Sequence, residues 1–228
     1  MEPETMDDFS IYGEEVIEAL DKIAKINRLL GGNKLTVSAV EQMASTVDKG
    51  SEITITDLGC GNGDMLRKLS DRGKRANLDF RLKGIDANAF TVSHAKALSN
   101  AYPDISYTCA NIMDKDFVPE RCDIILLTLT LHHFNDDQIL QLLKRIIVGG
   151  TKAIIINDLH RSKLSYVLFG WMSSLAGLSR MNTEDGKLSI IKGFKRKDLQ
   201  LFATELKVKK HSICWKWAFR YQWIISDL

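Results

Sequence analysis

The segment from Ile53 to Asp64, ITITDLGCGNGD, constrains this chain more than any other. A β-favouring run carrying Ile53, Ile55, Asp57 and Leu58 leads into Gly59-Cys60-Gly61-Asn62-Gly63, and a helical stretch from Met65 to Leu69 follows. A strand, a glycine turn and a helix in that order make a ligand cradle, because glycine permits positive φ and lets a ligand lie directly on the backbone. The dinucleotide fingerprint spaces its glycines G-x-G-x-x-G and puts pyrophosphate on the helix N-terminus. Here the third glycine comes one residue early, and acids flank the loop at Asp57 and Asp64. Carboxylates beside a pyrophosphate would repel it and would suit a ligand with a cationic end.

S-adenosylmethionine (SAM), with its ammonium and sulfonium, is such a ligand. A tight β–α turn that binds nothing is the bland alternative, and the signals along the rest of the chain weigh against it. Residues 79–86 read as a second strand ending in Asp86-Ala87. An acid there is placed to take the two ribose hydroxyls of a nucleoside. It could also cap the helix expected from about Phe90 to Asn100. Residues 105–111 form a third strand, after which Asn111 and Ile112 offer an amide edge and an apolar face for adenine. The almost unbroken apolar run 122–130 fits a strand buried on both faces of a parallel sheet. Leu131-His132-His133-Phe134 emerges from its C-terminal end. Asn135 and Gln138 make a capping box for a helix from Asp136 to Ile147, which Gly149-Gly150 closes. Residues 151–158 form a fifth strand. Strands and helices therefore alternate, and each motif falls at a strand's C-terminal end, where open α/β sheets bind ligands.

The flanks are helical and aromatic. Residues 11–30 show an apolar stripe (Val16, Ile17, Leu20, Ile23, Ile26, Leu30) that Gly31-Gly32 terminates, and Thr36 to Val47 reads as a shorter second helix. These helices pad one edge of the sheet or cover the ligand mouth. Residues 159–194 form a long insertion. Its helix is apolar almost all round, from Tyr166 to Leu178, and Asp185-Gly186 marks a turn. Such a helix must pack on a hydrophobic pocket or on the partner subunit of a homodimer; membrane-surface binding is the lesser alternative, because its polar face lacks a basic row. A connection this long inside a compact domain is more often functional than idle. Lys195 to Leu206 is a further helix. Trp215, Trp217, Phe219, Tyr221 and Trp223 then alternate with Lys216, Ala218, Arg220 and Gln222, and a hairpin near Lys216 to Ala218 makes the aromatics core and sheet cover, with stacking on an aromatic substrate as the lesser alternative.

Composition excludes several classes. The 228 residues carry a net charge of +2, too little to announce a nucleic-acid binder. Cys60, Cys109, Cys122 and Cys214 lie at no metal-ligand spacing and read as reduced thiols of a cytoplasmic protein, with no metal site. The N-terminal MEPETMDDFS is too acidic and polar for a signal peptide. The apolar stretch Tyr166 to Ser179 is too short to span a bilayer, so no integral membrane segment is expected.

With these residues in hand the chain resembles the class I SAM-dependent methyltransferases. The resemblance rests on Asp57-Leu58-Gly59-Cys60-Gly61-Asn62-Gly63, Gly84-Ile85-Asp86, Asn111-Ile112 and Leu131-His132-His133-Phe134, and covers about residues 50–158. It implies an α/β fold: a Rossmann-like, seven-stranded, mostly parallel sheet with helices on both faces and an antiparallel C-terminal hairpin. Residues 1–50 would be an N-terminal helical cap on a SAM-binding domain 51–228. It also implies SAM as cofactor, with Gly59, Cys60, Gly61 and Gly63 under its methionine part, Asp57 near its ammonium, and Asp86 with Ala87 at the ribose. Asn111 and Ile112 would hold the adenine, and Thr128 or Leu129 would approach the sulfonium. The LHHF segment is common in small-molecule members, and the segment typical of nucleic-acid amino-methyltransferases is missing.

Methyl transfer needs a nucleophile aligned in a dry site, and a hydroxyl nucleophile gains from a base. His132, His133, Asp158 and His160 are the candidates, with His133 or His160 as the expected base and a structural role as the alternative for the histidine pair. The apolar insertion suggests a small hydrophobic or aromatic acceptor bearing a hydroxyl. A non-catalytic SAM-binding module is the competing reading, and a nicotinamide-dependent oxidoreductase the runner-up enzyme.

Overall fold

The computed structural model describes residues 13–45, 47, 50–175 and 180–228, without the side chains of residues 14–16, 19, 174, 175 and 180–182. The N-terminal decapeptide, the side chains of Val16 and Leu175, and Leu178 fall outside that description. The elements run α1 (Glu14–Leu29), α2 (Gly32–Ala44), β1 (Ile53–Leu58), α3 (Asp64–Ala76), β2 (Phe80–Asp86), α4 (Ala89–Leu98), β3 (Ile105–Cys109), β4 (Ile124–Thr128), α5 (Asp136–Val148), β5 (Ala153–Leu159), α6 (Lys163–Leu175), α7 (Arg180–Lys192), α8 (Arg196–Glu205), β6 (His211–Lys216) and β7 (Arg220–Ser226).

The strands form one seven-stranded sheet in the order β3-β2-β1-β4-β5-β7-β6. The first five pair in parallel, and β7 runs antiparallel to both β5 and β6. Chain order reverses beside β1 and β4, so the crevice at their C-terminal ends is the place for a ligand. The two-residue period of a strand sends alternate side chains to opposite faces. Ile53, Ile55, Ile124, Leu126 and Ile155 pack with α2, α3 and α4 on one face. Ile125, Leu127, Ile154 and Ile156 pack with α5 and α8 on the other. Burial on both faces explains the continuous apolar reading of β4 and β5.

Local signals set several ends. Asn135 Oδ1 accepts from Gln138 N at 3.0 Å and Gln138 Oε1 from Asn135 N at 3.0 Å, which completes the expected capping box. Asn88, rather than Asp86, caps α4, its Oδ1 accepting from the backbone N–H groups of Phe90 and Thr91. The second helix starts at Gly32, four residues before the expected Thr36. Gly31, at φ 76°, turns the chain in one residue, and α2 begins at once. Polar side chains then pin α2 to the sheet: Asn157 Nδ2 donates to Gly32 O and Thr36 Oγ1, both at 3.1 Å, and Gln222 Nε2 to Leu35 O at 2.9 Å.

The insertion is a pair of helices clamped at its base, where Phe194 N donates to Leu159 O at 2.8 Å and Arg161 N to Phe194 O at 2.9 Å. Asp185-Gly186 is no turn and lies inside α7. A Cβ on Gly186 would meet the Phe169 ring at 2.3 Å, so the glycine serves close helix packing, and that contact outweighs the turn preference of the dipeptide. The hairpin reverses at residues 217–219, with Ala218 and Phe219 at positive φ. Tyr221 and Trp223 are core as expected. Trp215, on the edge strand β6, and Trp217, at the hairpin tip, are exposed.

Candidate active site

The glycine loop follows β1 directly. Gly59 and Gly63 both take φ 76°, a conformation that favours glycine. Sterics reinforce the choice. A Cβ on Gly59 would lie 2.7 Å from Thr130 Cγ2, and one on Gly63 would lie 2.0 Å from the Tyr107 hydroxyl. The loop is held from below by Gly61 N, which donates to Asp86 Oδ2 at 3.0 Å.

Above it opens a cavity of about 930 Å³, bounded by the loop, the C-terminal ends of β2 to β5, α1, the insertion and the hairpin tip. Of the residues singled out from sequence, Asp57, Gly59, Cys60, Gly61, Asp86, Ala87, Asn111, Ile112, Thr128, Leu129 and His133 line it. Gly63 stands behind the loop against Tyr107, and His160 is not in the lining. Leu129 adopts φ 56°, an unusual backbone for leucine, and its N–H donates to Asn157 O at 2.9 Å. Asn111 Oδ1 accepts from Met113 N at 2.9 Å, and Arg145 grips the carbonyls of Ile112, Asp114 and Phe117. The loop after β3 is thereby held in place.

The charges at the loop are not equivalent. Asp64 is already engaged, by Arg28 at 2.9 Å and Asn33 at 2.6 Å. Asp57 is 2% exposed, and its Oδ1 has no hydrogen-bond partner among the described residues. Burial, with the negative charge of Asp86 added, pushes its pKa from 3.8 up to about 8. Burial also raises Asp86, although backbone N–H groups of Asn88, Gly61 and Ala87 hold it back. Burial and the charges of Asp57 and Asp86 raise the Cys60 thiol, which keeps it protonated and inert. The pocket floor thus holds carboxyl groups whose ionised form burial disfavours, and a cationic ligand group would restore that form.

The histidines divide by environment. His132 is 4% exposed, lines the cavity, and has Nδ1 at 2.7 Å from Asp158 Oδ1. Leu131 N and Leu159 N donate to the same carboxylate at 2.9 and 2.7 Å. Burial would raise Asp158, but the His132 charge and hydrogen bond prevail and hold it below the ordinary value. The His133 ring lies 4.3 Å from that of His132. His160 Nδ1 accepts from Trp215 Nε1 at 3.2 Å, and burial with the nearby Lys195 charge lowers its pKa. Sequence reasoning weighted His133 and His160 and missed the oriented pair. The signal available was an acid ending one strand beside a histidine following its neighbour, and the neighbour relation is tertiary.

Helix α2 packs on the sheet, whereas α1 crosses the glycine loop. Asn62 Nδ2 donates to Asp21 at 2.8 Å, and Leu20 lies over Gly61. Leu168, Phe169 and Met172 of α6 and Trp217 and Phe219 of the hairpin complete an apolar, aromatic wall. Among the described residues no helix is long and apolar enough to cross a membrane.

Residues 55–148 match the methyltransferase-domain family. Over 112 residues the chain is 31% identical to the 2-phytyl-1,4-naphtoquinone methyltransferase of Trichormus variabilis (strain ATCC 29413 / PCC 7937), covering 47% of each protein. Over 105 residues it is 32% identical to the carboxy-S-adenosyl-L-methionine synthase of Campylobacter jejuni subsp. doylei (strain ATCC BAA-1458 / RM4099 / 269.97), covering 45% of this chain and 42% of that one. The chain thus spans just under half the length of the curated relatives it matches. The similarity in structure is wider. The plantazolicin methyltransferase BamL, solved with a triazolic desmethylPZN analog and SAH, matches with a TM-score of 0.70 at 16% identity over 92% of this chain and 91% of that one. The CurJ carbon methyltransferase matches with a TM-score of 0.63 at 12% identity over 85% of this chain and 53% of that one. The fold is the Rossmann-like fold of these methyltransferases.

Proposed function

We propose that this chain is a SAM-dependent methyltransferase whose acceptor is a small molecule with a hydrophobic or aromatic body and a hydroxyl nucleophile. The observation that carries the reading is the buried Asp57 carboxyl group beside the Gly59–Gly61 backbone, whose Oδ1 has no partner among the described residues, with a second acid at Asp86. A ligand with an ammonium at one end and a ribose further along answers both acids at once. Asn111 and Ile112 would receive its base, and Thr128 and Leu129 would face its sulfur. Bound there, the cofactor supplies an activated methyl group. The methyltransferase-domain match and the SAH-bound relatives of the same fold support the assignment.

In this reading residues 1–50 cap the site, and the insertion with the hairpin tip builds the acceptor wall. Phe134, Phe169, Met172 and Trp217 would exclude water and favour an apolar acceptor. His132 is the residue we assign as base. Its Nδ1 is committed to Asp158, so Nε2 is left to take the acceptor's proton, and Asp158 fixes ring and tautomer. His133 beside it orients the acceptor. The cavity left open beside the insertion argues against a module that only holds the cofactor.

Calorimetric titration with SAM, S-adenosylhomocysteine (SAH) and NADH tests the cofactor. Micromolar binding of the first two, weakened by Asp86→Ala, is expected. Binding of NADH alone would replace the reading with an oxidoreductase. Product detection across phenols, hydroxyquinones and charged polar acceptors then tests the acceptor class, and turnover confined to the polar set would refute it.

A further inference from the structure

Arg220 opens β7, opposite Leu159 at the C-terminal end of β5. It shares its strand face with Gln222, which bonds α2, so its guanidinium reaches toward the junction of α1 and α2. It is 3% exposed and lines the cavity. Its Nε and Nη1 have no hydrogen-bond partner, and among the described residues no carboxylate stands within ion-pair distance. The acid that acts on it electrically, Asp158, is committed to His132 and to the N–H groups of Leu131 and Leu159. Asn27 Oδ1, also buried and unpartnered, and the Arg220 guanidinium carbon both lie within 3.1 Å of the point where a side chain on Gly32 would begin. Gly32 therefore leaves open the space into which this guanidinium fits.

A guanidinium is a rigid fork of donors matched to a carboxylate, and burying one without a partner is unfavourable unless something else fills the fork. From the geometry we infer that Arg220 is a carboxylate receptor in this cavity: a ligand carboxylate completes its fork. Resting on the cofactor reading above, the inference means that the site holds an unmatched acid at Asp57 and an unmatched base at Arg220. The carboxylate comes from the amino-acid end of the cofactor or from the acceptor. In the second case the acceptor is an anionic aromatic or aliphatic acid, a narrower class than a neutral hydroxyl compound.

The test uses Arg220→Met, which keeps bulk without charge, and Arg220→Lys, which keeps charge without the fork. Calorimetry compares SAH with 5′-methylthioadenosine, which shares the nucleoside and thioether but lacks the amino-acid end. A cofactor source predicts that Arg220→Met weakens SAH about tenfold or more and leaves methylthioadenosine unchanged, with Arg220→Lys in between. An acceptor source predicts unchanged SAH, while benzoate or hexanoate binds the SAH-saturated wild type and not Arg220→Met. Thermal melting separates a structural role. A waiting receptor predicts a ligand-free Arg220→Met as stable as the wild type or more so, whereas a structural arginine predicts a lowered midpoint. Unchanged SAH affinity together with no carboxylate binding to either protein would overturn the proposal. Failure of the wild type to bind both nucleosides would refute the cofactor reading alone. The carboxylate titrations, run on the ligand-free protein, would still decide Arg220.

Discussion

Protonation of Asp57 should govern cofactor affinity between pH 6 and 8. Its pKa is pushed to about 8 by burial and by Asp86, so at neutral pH the free protein holds it mostly protonated. An ammonium pairs with the carboxylate and not with the acid, and binding must therefore expel the proton. The competent fraction sets the apparent affinity, which should be about tenfold weaker at pH 7, and about a hundredfold weaker at pH 6, than for the ionised site. Calorimetry of SAH in two buffers of different ionisation enthalpy should show about nine-tenths of a proton released per ligand at pH 7. Asp57→Asn should remove both the slope and the release, and should weaken binding at pH 8 by about 1.5–3 kcal/mol through loss of a charge-assisted hydrogen bond. Stability provides an independent check. The folded pKa lies above the unfolded value of 3.8, so the native state keeps a proton that the unfolded chain has lost between about pH 4 and pH 8. This contribution is full below pH 4 and is lost as pH rises, with an upper bound on the order of 6 kcal/mol for about four units. Ligand-free wild type should lose stability relative to Asp57→Asn across that window. A flat affinity from pH 6 to 8 without proton release would refute the reasoning, because it would mean that Asp57 is ionised before the ligand arrives.

Three further outcomes follow from the same geometry. His132→Ala should lower turnover about 10²–10⁴-fold, whereas His160→Ala should leave it intact; initial rates with a hydroxyl-bearing acceptor decide. Gly63→Ala should cost about 1–3 kcal/mol in urea unfolding, because it combines a positive φ with a clash against the Tyr107 hydroxyl. Gly186→Leu should force α7 away from Phe169, raising KM for apolar acceptors while leaving SAH affinity unchanged in calorimetry.

Most of the sheet was legible because its signals are local. The burial of β4 and β5 shows as unbroken apolar runs, and the Asn135–Gln138 capping box acts over three residues. Asp57, Asp86, Asn111 and Thr128 could be assigned to one crevice because parallel strands bring their C-terminal ends together whatever the connections between them. Asp185-Gly186 misled for the opposite reason, since its neighbour Phe169 comes from another helix.

The glycine spacing, the acids at strand ends and the strand–helix alternation by themselves determine the fold class and the position of the crevice, because backbone sterics and side-chain period act within a few residues. Only the tertiary structure decides which charges there are unsatisfied. Asp64 and Asp57 flank the same loop, yet Arg28 and Asn33 engage the first, whereas Oδ1 of the second has no hydrogen-bond partner among the described residues. His132 is oriented and His160 diverted, by Asp158 and by Trp215, residues 26 and 55 positions away. Arg220 reads as an ordinary polar residue on an alternating strand until the sheet buries it with Nε and Nη1 unpartnered among the described residues. Partnership inside a low-dielectric site is a property of three-dimensional neighbours, and the chemistry of this cavity depends on it.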